Sequence, residues 1–119
     1  MEKEKLLQEL KSIEGQIPVI ITDNYLPING TAKKVILLSA KIGSTRLDGE
    51  KYRRLLSIAE IADASVDMNV DFAAYALIPL FDLADNDYIV YDAKHEKWAI
   101  FNIVDEIIFN ESDTLEVLL

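Results

Sequence analysis

Leu6, Leu7, Leu10 and Ile13 recur at helical spacing among charged residues, so Glu2 to Glu14 is expected to form an amphipathic helix. Gly15 stands where a C-terminal cap would close it. Ile17 to Ile21 is β-branched but interrupted by Pro18, which fits either an edge strand or an extended connector. Turn residues run from Asn24 to Gly30, and Val35, Leu38 and Ile42 then share one face of a second helix that ends at Gly43. After a loop through Gly49, Tyr52 to Ser57 reads as a strand. Ser57-Ile58-Ala59-Glu60 has the spacing of a capping box, in which the serine and glutamate side chains each satisfy the other's backbone N–H, and it opens a short helix toward Asp63.

The second half is richer in β-formers. Phe72 to Leu80 is an apolar run bounded by Asp71 and Asp82, the pattern of a central strand buried on both faces. Tyr88 to Asp92 and Lys97 to Asn102 are short β-rich segments separated by Ala93-Lys94-His95-Glu96, which predicts a hairpin. Ile103 to Phe109 is again β-rich but carries Asp105-Glu106. Ser112-Asp113 ahead of Leu115, Val117, Leu118 and Leu119 predicts a capped closing helix. Strands bracketed by helices, with no repeat or linker between them, predict an α+β fold: one domain over residues 1–119 with a mainly antiparallel sheet.

A length of 119 residues suits one core, and the absence of cysteine removes thiol catalysis, thiolate metal sites and a disulfide framework together. The polar start and the Pro79-interrupted apolar run predict a cytoplasmic protein with no export signal and no membrane-spanning helix, which would need ~20 apolar residues. Charge sharpens the picture. Met1 to Ala59 carries seven acids against ten Lys and Arg, whereas Glu60 to Leu119 carries fourteen acids against only Lys94 and Lys97, so a net charge of −9 is drawn from the second half. Such a field repels phosphate backbones and anionic lipid and steers basic proteins inward. The partner expected on this ground is a basic protein, with no nucleic acid and no membrane.

Asp82, Asp85, Asn86 and Asp87 cluster as hard-cation ligands do, yet the D-x-D-x-D alternation and the glutamate at the twelfth position of a calcium loop are missing. No metal or cofactor is therefore expected. Asp92-Ala93-Lys94 has the acid-x-Lys spacing of metal-dependent nucleases, with Asp85 or Asp87 as a second ligand; this hydrolase is one alternative reading, against which stand the hairpin position of Lys94 and the surrounding negative charge, and a general protein-interaction scaffold is the other. His95, the one histidine, reads as an exposed loop residue, and the dispersed glycines form no phosphate loop. Tyr88, Tyr91, Trp98 and Phe101 read chiefly as core, although Tyr88 or Trp98 rimmed by acids could anchor an interface.

Leu26-Pro27 before a helix that ends in Gly43-Ser44, followed by Arg54-Leu55-Leu56-Ser57-Ile58-Ala59-Glu60-Ile61, resembles the opening of the SUKH superfamily. Ile78-Pro79-Leu80-Phe81, the acidic loop, Asp87 to Asp92, Lys97-Trp98-Ala99-Ile100 and the Ser112 to Leu119 segment resemble its central strands and closing helix. The resemblance spans Leu26 to Leu119 and implies a twisted sheet flanked by helices. It also implies a non-enzymatic role: many members are bacterial immunity proteins that block a toxin domain, often a nuclease, while others regulate fungal cell-wall synthesis. No catalytic residue carries over. The charge map adds an expectation of its own, that Asp82, Asp85, Asp87, Tyr88, Asp92, Trp98, Asp105 and Glu106 form the partner-binding surface.

Overall fold

The amphipathic opening folds as helix α1 (Lys3–Ser12), with Leu6 and Leu10 buried against the longer α3 (Gly30–Ile42). The computed structural model describes residues 1–25 and 28–119; the Leu26-Pro27 dipeptide lies outside them. Between these helices, Ile17 to Ile21 is neither a strand nor a connector. Val19–Thr22 is a single helical turn, α2. Pro18 starts it at φ −53°, because a residue without an N–H and with a preset φ loses nothing at a helix start. Ile21 alone of that β-branched run is fully buried, so tertiary contact overrides strand propensity here.

Six strands follow in chain order across one antiparallel sheet: β1 (Thr45–Arg46), β2 (Arg54–Leu55), β3 (Leu77–Asp82), β4 (Asp87–Asp92), β5 (Lys97–Asn102) and β6 (Ile107–Ser112). The expected β4–β5 hairpin forms, with β4 starting one residue earlier than Tyr88, and its register sets Asp87 opposite Asn102 and Asp92 opposite Lys97. The strand expected over Tyr52 to Ser57 pairs only at Arg54 and Leu55, and β1 beside it carries no sequence signal.

Phe72 to Leu80 is not one strand. The Asp71 carboxylate accepts from the N–H of Ala74 and starts a helical turn, α5 (Phe72–Tyr75), and Ala76 at φ 55° reverses the chain before β3 begins. The remainder is buried on both faces as expected. Pro79, with no N–H to donate, sits beside a bulge and beyond the end of β2, where the ladder does not ask for one. The capping box forms: the Ser57 hydroxyl accepts from the Glu60 N–H at 3.2 Å and Glu60 accepts from the Ser57 N–H at 3.0 Å. The helix it opens, α4 (Ile58–Met68), runs past Asp63 because Ile61 and Ala64 remain buried, and it ends at Asn69 in the left-handed region. The closing helix is one turn, α6 (Leu115–Leu118), preceded by Thr114, and Ser112 serves instead as the last residue of β6.

Alternation along β4 and β5 assigns the core to two sides of the sheet. Ile89, Trp98 and Ile100 join the larger cluster with α1, α3 and α6, whereas Val90, Ala99 and Phe101 join a smaller one with Ala64 of α4 and Phe72 of α5. Helices thus cover both faces of an α+β domain. Among the described residues, no helix is long and apolar enough to cross a membrane.

Candidate functional site

The meander sets the site, because consecutive antiparallel strands send alternate turns to the same end of the sheet. The β3–β4 turn, with Asp85 and Asn86, lies beside the β5–β6 turn, with Asp105 and Glu106, and the Ile103 N–H donates to the Asn86 carbonyl at 3.0 Å across the gap. Left-handed backbone at Ala84, Asp85 and Asn86 and at Glu106 bends both turns tightly. Asp85, Asp105 and Glu106 are exposed, and none of them has a cationic partner among the described residues. The Asn102 amide donates to Asp87 at 2.9 Å, which ties the base of β4 to the base of β5. Glu106 reaches over the sheet and accepts from the Tyr75 hydroxyl at 3.0 Å, which raises that phenol's pKa.

At the flank of this end, Arg54 neutralises part of the field. Its guanidinium meets both carboxylate oxygens of Glu60, at 2.8 and 2.9 Å, and one oxygen of Asp82 at 3.3 Å. The hydrogen bond from Arg54 holds the Glu60 carboxyl below its ordinary range, against the opposing effect of desolvation. Asp82 also accepts from the N–H of Ala84, so it shapes the turn and is largely committed within the molecule. Tyr88 lies next to Asp82 across the strands, half-buried, and its phenol is raised first by desolvation and then by the Asp82 charge.

Six of the eight expected positions, Asp82, Asp85, Asp87, Tyr88, Asp105 and Glu106, therefore meet at one end. Two do not belong to a surface. Asp92 is 4% exposed at the opposite end of β4, where one carboxylate oxygen accepts from the N–H groups of Lys94 and His95, and the other meets the His95 Nδ1 at 2.7 Å. Its charge pins the hairpin turn. Trp98 is 3% exposed, in edge-on contact with Tyr91 at 5.2 Å, because its position on β5 points into the larger core. No known protein family, curated protein or solved structure matches this chain.

Strand length likewise separates the Asp92-x-Lys94 pair from its expected second ligand, Asp85 or Asp87. Asp87 and Asp92 bracket the six residues of β4, roughly 17 Å from end to end at ~3.4 Å per residue. Lys94 and His95 are exposed on the turn at the far end. A buried carboxylate already engaged by three hydrogen bonds is also poorly placed to hold a cation. Elsewhere, a cleft of about 260 Å³ is bordered by Asn24, Tyr25, Ala73, Ala76 and Ile78. The Tyr25 hydroxyl there donates to the Ile61 carbonyl at 2.8 Å, and burial pushes its pKa up to about 12, which suits a strut between α2 and α4 better than proton transfer at neutral pH.

The sequence reading missed Arg54 and Glu60 as members of this charged group. Glu60 was visible as a capping residue, but that Arg54 joins it to Asp82 follows from the β2–β3 pairing, which sets Arg54 opposite Asp82.

Proposed function

We propose that this chain is a non-enzymatic, cytoplasmic binding protein that holds a basic partner against the acidic end of its sheet, as an immunity protein that blocks a toxin domain of the nuclease type. The observation that carries this reading is the apposition of the two turns. Asp85, Asp105 and Glu106 are gathered on two hairpins with no cationic partner among the described residues, an arrangement that is electrostatically unfavourable alone and relieved by a positive partner. A nuclease binds phosphate through positive charge, so a fixed group of carboxylates is chemically complementary to its site. The resemblance to SUKH immunity proteins supports the same role.

The test combines capture and charge reversal. Immobilised protein should retain a basic protein from a lysate of its source cells, and retention should weaken between 0.1 and 1 M salt as the screening length falls from ~10 to ~3 Å. The triple variant Asp85→Lys, Asp105→Lys, Glu106→Lys should lose that protein. Retention indifferent to both salt and charge reversal overturns the reading. So does cleavage of nucleic acid by the pure protein with Mg²⁺ that disappears on Lys94→Ala.

A further inference from the structure

The last strand follows only in part the pattern by which sheets protect their margins. Among the described residues β6 pairs only with β5, so its outer row of N–H and C=O groups has no described strand beside it. Natural edges are commonly blunted by lysine, proline, shortness or a bulge. From Ile103 to Ser112 there is no lysine or proline. One extra residue on β6 makes a bulge near Asn110, at φ 52°, which leaves Ile107 to Phe109 as regular edge. This stretch is apolar and open: Ile107 is 52% exposed and Ile108 38% exposed. Phe109 is half-buried, and Val117 of α6 adds an apolar side chain 73% exposed near Glu111.

Charge decides between occupants. A second copy would pair β6 with itself, antiparallel about a two-fold axis. Centred on Ile108 that puts Asp105 opposite Glu111, and centred between Ile108 and Phe109 it puts Glu106 opposite Glu111; centred on Phe109 it brings Asp105 toward Asp113, whose charge is already met by Lys97 at 2.9 Å. Like charges facing each other across strands are destabilising. A segment with lysine or arginine at those positions converts each repulsion into attraction, and the edge is continuous with the Asp105-Glu106 turn of the acidic end.

We infer that the β6 edge over Ile107 to Phe109 adds a short extended segment of the basic partner as a seventh strand, with apolar residues covering Ile107 and Ile108 and cationic residues meeting Asp105, Glu106 and Glu111. This rests on the partner being basic, as proposed above. Main-chain bonds along the edge supply register and the flanking acids supply selectivity.

The inference is tested with two capped nine-residue peptides that alternate valine with lysine or valine with glutamate, titrated into the ¹⁵N-labelled protein at low salt. The lysine peptide should shift the amides of Ile107, Ile108 and Phe109 and slow their hydrogen exchange, and the glutamate peptide should not. Ile107→Lys, an exposed change that leaves the core intact, should weaken the lysine peptide roughly tenfold, and Ile108→Pro, which removes a strand N–H, should do the same. Shifts confined to the Asp85 and Asp105 turns, with β6 amides unmoved, overturn the edge while leaving the acidic end as the binding site. No shift anywhere with the lysine peptide overturns both. Protected β6 amides without peptide, together with a dimer in sedimentation, overturn the inference in favour of self-pairing.

Discussion

Replacing Asp92 separates a structural carboxylate from a surface one. Asp92→Ala removes two hydrogen bonds from main-chain N–H groups, at 3.0 and 3.1 Å, and the 2.7 Å contact with His95. The two amides sit in a turn that water reaches, so each loss is worth about 1 kcal/mol, close to a helix-cap deletion, and the imidazole contact adds about 0.5–1 kcal/mol. The expected cost is thus about 2–3 kcal/mol. For a chain of this length about 3–5 °C of melting temperature accompanies each kcal/mol, so Tm should fall by about 6–15 °C. Asp92→Asn keeps an acceptor for the two amides and should cost only about 1 kcal/mol. Asp85→Ala, at an exposed turn position, should stay within about 0.5 kcal/mol. Urea unfolding followed by Trp98 fluorescence measures all three variants against the parent. If Asp92→Ala matches Asp85→Ala, the carboxylate does not pin the hairpin and its assignment to the fold is refuted.

Trp98→Ala should cost about 3–5 kcal/mol, since it empties a core position beside Tyr91; a loss below about 1 kcal/mol by thermal melting would return Trp98 to the list of interface candidates. Glu60 has its folded pKa lowered from 4.5, so the stability it contributes is present above that value and is lost as pH falls below 4.5 through the folded value. Glu60→Gln retains the acceptor for the Ser57 N–H but not the charge facing Arg54; the gap between parent and variant, about 1 kcal/mol or less at pH 7 for so exposed a pair, should close on acidification. A gap that widens toward acid pH would contradict the pairing. Gly43 adopts φ 72° and ψ −163°, and a Cβ there would meet nothing within 4 Å, so Gly43→Ala should cost about 1–2 kcal/mol from backbone strain alone, measured by urea unfolding.

What the sequence determined by itself is whatever depends on neighbours along the chain. The stripe of α1, the Ser57–Glu60 capping box and the β4–β5 hairpin were legible because each is specified within a few residues. The α+β class followed from their order, and the acidity of the second half from counting. Only the tertiary structure decided where the chain interrupts its own pattern. Phe72 to Leu80 divides at Ala76 and Val19 to Thr22 turns helical, since burial of Phe72 and Ile21 against distant residues outweighs local β propensity. The site divides along the same line. Asp92 and Asp85 look alike in sequence, one acid beside a turn in each case, yet the length and direction of β4 bury one beneath an exposed turn and put the other on the open end with Asp105 and Glu106. Carboxylates twenty residues apart become neighbours through strand pairing, and periodicity along a single segment carries no information about which turns share an end of the sheet.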